Sequence, residues 1–554
     1  MTLITMSSDK PAPRDYPTKE DAINTSSGLK MVVIPRLSPA LDIPGHGWGP
    51  AFGEVFNFLG NNAMAPTGVI KGPWLRPGPS WKGTWLFDDA FISRVWSLCN
   101  LDFAREVLDN CLQYQVTTEP DDEKTFGRIP HSITPNGIGP WAAPPLVDYA
   151  YWELFKKNGS VAMLQDAFTR LFDYHLWLNY NRDTNKDGLY SWVHPSESGL
   201  ENAPRFDAVP AKDCDAVDLS CLVSIQLRSL INMAAVLKED TVKENLETRK
   251  KELDGWINDD LWDPSTGFYY DKAIAGPQKG QFVGPRSIVG WYPLFAGIVP
   301  KDRLGQYLRH LSSRDEFWTT FPVPSVAQDD PAFDKTMNMW RGATWVVGNY
   351  MIIKGMKGYG FRQLPGELAY LTAYHVFETF KKKKSFFEYY NSIGPNDNIE
   401  LFGRKSEKTG PRSSCVGSTG LVANILLEDM LGIESQHHSI LLQPSVPDKF
   451  IAKLGGSPVT GSLPGIAGWK QDHPIDFKMT FNQGGMIEYE FTLANPMDIY
   501  VVEFSSKEKL FSGENVGIVQ VEVNNNKDII SIFSNPESKS IRDEFLQKDG
   551  KTPN

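Results

Sequence analysis

The stretch 197–207 reads Glu-Ser-Gly-Leu-Glu-Asn-Ala-Pro-Arg-Phe-Asp and sets four charged side chains around a Gly and a Pro. That composition describes a rigid loop, neither helix nor strand. Trp192, His194 and Phe206 stand beside it and are large enough to wall a pocket. A carboxyl group held against aromatic rings has its charged form disfavoured, the condition for a general acid near neutral pH. Taken alone, the same composition also suits a solvated polar loop. Four more clusters share its character, with charged groups next to aromatic ones: Trp85-Leu86-Phe87-Asp88-Asp89, Gly127-Arg128-Ile129-Pro130-His131, Trp340-Arg341-Gly342-Ala343-Thr344-Trp345 and Phe386-Phe387-Glu388-Tyr389-Tyr390. Saccharides call for this combination. Aromatic faces cover the C–H side of a pyranose, while Asp, Arg and His take its hydroxyls. Breaking a glycosidic bond requires two carboxyl groups, one acid and one base or nucleophile, and Glu201 and Glu388 sit in two of these loops. His131 reads either as a hydroxyl partner or as a hydrogen-bonded loop histidine.

Other chemistry is less well supported. Asp183-Thr184-Asn185-Lys186-Asp187-Gly188 starts like a calcium loop, with Asp183, Asn185 and Asp187 as candidate ligands, but its twelfth position is His194 instead of Glu. An Asp/Asn-rich turn leading into the Glu201 loop explains the same residues, so no cofactor is required. The chain has 554 residues and a formal net charge of -11. Nucleic-acid binding calls for a basic patch, which that balance disfavours. The five cysteines are odd in number and lack Cys-x-x-Cys spacing, which suits reduced thiols. No signal-peptide pattern and no run of about 18 apolar residues is visible, so a cytoplasmic protein that does not cross a membrane is expected. Oligomeric state is not legible.

These loops need elements to hold them. Apolar residues recur at three- and four-residue steps from Phe91 to Leu112, and the same period predicts helices over 146–155, 161–178, 218–237, 241–258, 343–356, 368–380 and 418–431. Helices following one another, with site-like loops between alternate ones, suggest paired helices in a ring. Residues 1–44 read as an extended arm, and 45–80, dense in Gly, Pro and aromatics, as a long ordered loop over a binding face. After about 433 the pattern changes to alternating strands at 440–442, 477–481, 486–493, 499–504 and 516–523, a small β domain over 434–534. The charged tail 535–554 reads as frayed.

The ordered set Trp-x-x-Asp-x-Ala-Phe, Gly-x-Ile-Pro-His, Glu-Ser-Gly-x-x-Asn-x-Pro-Arg-Phe, Phe-Pro-Val-Pro-Ser-Val, Trp-Arg-Gly-x-x-Trp and Phe-x-Glu-Tyr-Tyr resembles glycoside hydrolase family 63 and its mannosylglycerate hydrolase-like group, with trehalases more distant. The resemblance spans roughly 81–431. It implies a mainly α chain, an (α/α)6 barrel over 45–433 followed by a small C-terminal β-sandwich, and an inverting mechanism on α-linked glucosides or mannosides. Matched residue by residue, Glu388 falls on the general base. Asp88, Arg205, Trp340, Arg341 and Trp345 fall on substrate-pocket positions, and Trp85, Phe87 and His131 belong to the same clusters. The family reads Asp where this chain has Glu201, its general acid. It also often carries a Gln where this chain has Ala142-Ala143 before two prolines. The expected activity is an inverting exo-α-glycosidase on a small saccharide. A carbohydrate-binding protein without hydrolysis is the rival that the altered acid position raises, and Glu197 is the alternative acid.

Overall fold

The computed structural model describes residues 22–24, 30–32, 38–117, 125–404, 410–437, 439–464, 474–482, 486–492, 497–504, 515–523 and 529–533. The chain is mainly α, and its helices follow the apolar periodicity. They are α1 (Gly49–Asn62), α2 (Leu86–Trp96), α3 (Leu101–Gln113), α4 (Val147–Asn158), α5 (Val161–Asn181), α6 (Val217–Leu237), α7 (Asp240–Asp260), α8 (Tyr292–Ala296), α9 (Lys301–Ser312), α10 (Val346–Gly358) and α11 (Gln363–Lys383). A last helical run, Thr419–Met430, passes from 3-10 through α to a π turn. Ends are set locally. Asn100 and Ser160 cap α3 and α5 by accepting the N–H of Phe103 and Met163, and Gly159 closes α4 in the left-handed conformation.

Packing follows an alternating order. α2 lies on α4, α4 on α6, α6 on α8 and α8 on α10, and the 419–430 run touches both α10 and α2. α3, α5, α7 and α11 each pack on the helix before them in the chain. α6 has the length and apolarity of a membrane span but is 72% buried inside the fold. A helix apolar all round belongs in a core. Charges are buried here too. Arg94 on α2 meets Glu153 at 3.4 Å and Glu428 at 3.2 Å, and Lys157 meets Glu428 at 2.6 Å, which ties α2, α4 and the last helical run together.

Two stretches differ from the sequence expectation. Residues 45–80 are not one long loop, because α1 runs through them. Ala51, Phe52, Val55, Phe56 and Leu59 are buried at helical spacing. Gly and Asn between them dilute that signal. The arm 1–44 is paired where it is described: Ala40–Asp42 adds an antiparallel edge to Val459–Leu463, and Ala22–Asn24 pairs with Lys30–Val32. Beyond 433 the strands form two sheets. One orders Ile433–Gln436, Ser439–Leu442, Met497–Phe504 and Asn515–Val523. The other orders Ile529–Phe533, Met486–Thr492, Ile475–Phe481, Val459–Leu463 and Ala40–Asp42. The tail 535–554 lies outside the described residues.

Candidate active site

Connections between the helices converge on one cavity of about 250 Å3. Nine residues singled out from sequence line it: Trp85, Phe87, Asp88, His131, Glu197, Glu201, Trp340, Trp345 and Glu388. They arrive on several supports. Trp85 ends a short strand paired with Ser132–Thr134, and Phe87 and Asp88 occupy the first turn of α2. Gly199 adopts φ +74°, and a Cβ there would lie 3.2 Å from the Phe87 ring, so the Glu201 loop reaches the cavity only because position 199 has no side chain. Asn202 then fastens that loop to the Trp340 loop, donating to Asn338 O at 3.0 Å and accepting the Trp340 N–H at 3.1 Å. Trp340 and Trp345 stack face to face, 3.9 Å apart and 7° from parallel, as one aromatic wall.

Glu388 is on extended backbone that bonds to the 410–417 segment, its N–H reaching Arg412 O at 3.0 Å. Its side chain is 6% exposed. Carboxylate Oε2 ion-pairs with Arg404 and accepts the Arg412 N–H at 3.4 Å. Burial raises the Glu388 pKa, and Arg404 opposes that rise. Asp88 is pushed up to about 7, first by burial and then by the charges of Glu388 and Glu201. Asp88 therefore feels both other carboxyl groups across the cavity. Burial lowers the His131 pKa, which favours the neutral imidazole.

Two candidates fall outside the cavity lining. Arg205 is 2% exposed and lies 2.6 Å from Asp218 and 3.1 Å from Asp271, with its guanidinium 4.4 Å from the Phe206 ring. It joins the site loop to α6 and to the 271–273 strand, so it supports the pocket and does not line it. Arg341 pairs with Asp207 through two bonds of 2.8 and 2.6 Å at the surface, clipping the Trp340 loop to the end of the 197–207 stretch. Glu197 is completely buried and serves as a clamp. It takes Arg182 at 2.6 Å, the Ala142 N–H at 3.2 Å and the Val193 N–H at 2.9 Å. One buried carboxylate thus fixes the loop before Pro144, which lines the cavity, to the loop that carries Glu201.

The calcium-type loop bonds within itself and to Asp215, whose carboxyl is pushed up to about 8 by burial and then by Asp187 and Asp183. Asp187 accepts the Asn185 amide at 2.6 Å and the Leu189 N–H at 2.9 Å. Among the described residues, no group of three or more His, Cys, Asp or Glu side chains is placed to hold a metal ion. Sequence reasoning missed several lining residues, chiefly Trp81, Arg404, Cys415 and Ser418. Arg404 and Arg412 both lie over the Trp81 ring, at 5.8 and 5.9 Å. Trp81 had a signal, since it falls four residues before Trp85, whereas nothing near Arg404 in sequence marks it.

Carboxyl groups gathered in an aromatic-walled cavity between packed helices define a glycoside hydrolase site. A family model described as "Mannosylglycerate hydrolase MGH1-like glycoside hydrolase domain" matches residues 81–393, more than half of the chain. The chain belongs to that family. Among its relatives, an uncharacterized protein of Borreliella burgdorferi is 23% identical over 311 residues, covering 55% of this chain and 61% of that one. A mannosylglycerate hydrolase of Thermus thermophilus is 24% identical over 365 residues, covering 51% of this chain and 84% of the relative. The fold is similar to the crystal structure of a GH63 mannosylglycerate hydrolase from Thermus thermophilus in complex with Tris and D-glycerate, with a TM-score of 0.55 at 20% identity over 68% of this chain and 99% of that one.

Proposed function

We propose that the chain is an inverting exo-α-glycosidase that hydrolyses a small α-linked glucoside or mannoside. Glu201 protonates the leaving oxygen and Glu388 takes a proton from the attacking water on the other face of the ring. The observation that carries this reading is that both carboxyl groups line one cavity with Trp85, Phe87, Trp340 and Trp345. A cavity of about 250 Å3 falls below the roughly 300–1,000 Å3 of drug-sized sites, which suits one sugar ring with a small aglycone. The alternating helix contacts support an (α/α)6 barrel as the scaffold, and the two sheets beyond 433 support a β-sandwich. We take 45–433 and 434–534 as the two domains on that division, with Ala40–Asp42 of the arm adding an edge to one sheet.

In the reaction, Asp88 and neutral His131 hold hydroxyls of the ring bound in the cavity, and the Trp340–Trp345 wall covers its apolar face. With Glu201 longer by one methylene than the family's Asp, the acid reaches the glycosidic oxygen from a different depth. A displacement near 1 Å can cost about a hundredfold in rate. The test is turnover of α-glucosides and α-mannosides by Glu201→Gln and Glu388→Gln, with NMR of the first-formed anomer. Wild-type turnover in either variant, or a product of retained configuration, rejects the assignment. A second reading, a saccharide-binding protein without hydrolysis, is favoured by Glu201 standing where the family reads Asp. Calorimetry showing a disaccharide bound but never cleaved would establish it. No metal step enters either reading. The calcium-type loop orders itself, and a melting midpoint that rises with added calcium would overturn that. Five free cysteines, four of them buried, support a reducing cytoplasm, and recovery of the native chain with exported proteins would refute that placement.

A further inference from the structure

Arg404 sits on none of the sequence clusters, yet it lines the cavity and its guanidinium grips Glu388. Every hydrogen bond that Glu388 makes through its carboxylate among the described residues falls on one oxygen. Oε2 takes both Arg404 and the Arg412 N–H, while Oε1 has no such partner. Arg404 is itself held, lying over Trp81 at 5.8 Å, and Trp81 also lines the cavity. The geometry points to Arg404 as the positioning residue of the general base: it pins Oε2, turns Oε1 toward the water site and keeps the carboxylate ionised for proton abstraction. The inference rests on the glycosidase reading for its role in turnover and on geometry alone for its effect on Glu388.

The charges around Glu388 give the direction. Arg404 is the one cationic side chain paired with it among the described residues, while Glu201, Asp88, Tyr389 and Cys415 all sense it as a neighbour. Without Arg404, burial and two further carboxyl groups would all favour the protonated, inactive base. Arg404 also feels Glu201, so it screens the acid from the base. Its fixed fork suits that task better than a lysine's mobile ammonium.

The test uses Arg404→Gln and Arg404→Lys in the full chain, with kcat/KM followed against pH. The acidic limb is expected to move up by at least one pH unit in the Gln variant, with a tenfold fall in kcat at pH 6 and KM changed less than threefold. The Lys variant should recover part of that shift. An acidic limb unmoved in Arg404→Gln overturns the inference. If that variant does not fold, the wild-type chain decides. Carboxyl-13C NMR of glutamate and aspartate, with the Glu388 and Asp88 signals assigned by their loss in Glu388→Gln and Asp88→Asn, should show Glu388 losing its proton at lower pH than Asp88. A Glu388 midpoint at or above that of Asp88 overturns the inference. Because the NMR readout needs no turnover, a chain that titrates as expected but cleaves no saccharide rejects the glycosidase reading and leaves this one standing.

Discussion

Glu197 and Glu201 lie four residues apart on one loop, both line the cavity, and only one of them can be the acid. Their surroundings assign opposite outcomes to Glu197→Gln and Glu201→Gln. Glu197 is fully buried and spends its carboxylate on Arg182, itself 8% exposed, and on two backbone N–H groups. An amide of the same shape loses the charge that compensates Arg182 and turns an NH2 toward a donor. Breaking a buried ion pair by neutralising one partner costs about 3–5 kcal/mol. Spread over a chain of this size, the loss should lower the melting midpoint by on the order of 5 °C. Glu201→Gln is read through its turnover. Its kcat on unactivated disaccharides should fall about 10²–10⁴-fold, the usual worth of a general acid. Glycosyl fluorides leave without protonation, so the Glu201→Gln deficit should shrink on them. Paired assays, scanning calorimetry and turnover of a disaccharide against the matching fluoride, separate the two roles. The reasoning is refuted if Glu197→Gln melts like wild type and recovers selectively on the fluoride, since Glu197 would then be the acid.

Three further outcomes follow from the same geometry. Asp88 has its pKa raised from 3.8 to about 7, so folding is most favoured with Asp88 protonated, and that contribution is lost as pH rises through about 7. Asp88→Asn should therefore melt higher than wild type at pH 8, with the gap closing by pH 4, while losing saccharide affinity; a gap that widens toward acid would contradict the burial argument. At Gly417 an added Cβ would come 2.6 Å from Asp88 Oδ1, so Gly417→Ala should displace that carboxyl and lower kcat/KM about 10- to 100-fold with little change in melting. Arg205→Ala strands Asp218 and Asp271 in the core and should destabilise by about 3–5 kcal/mol in urea unfolding, with KM of the remaining folded protein near wild type.

The parts of this chain that were legible in sequence are those whose cause is local. Periodicity in α5 and α6 survives because buried apolar residues recur at helical spacing over 21 residues in each, and the strands at 477–481 and 486–492 alternate because one face is buried. α1 was illegible because its buried Phe and Val are separated by Gly, Glu and Asn, which lower the average without changing the face. α9 carries Leu304, Tyr307, Leu308 and Leu311 at helical steps inside a stretch crowded with Lys, Arg and His, and was passed over. At the site, residue type found the cavity walls but could not sort the arginines. Arg205 and Arg341 each stand beside an aromatic residue in sequence, as a sugar-binding arginine would. What removes them from the cavity is the position of Asp218, Asp271 and Asp207, 13 and 66 residues on for the first and 134 residues back for the second. Arg404 is the converse case. Its neighbours in sequence, Leu401-Phe402-Gly403 before it and Lys405-Ser406 after it, form no site-like motif, and only folding lays its guanidinium against Glu388. Charge placement is thus the least local property of this site. A carboxylate's role as acid, base or clamp is set by which arginine reaches it, Arg182 for Glu197 and Arg404 for Glu388, and each of those contacts is made by folding.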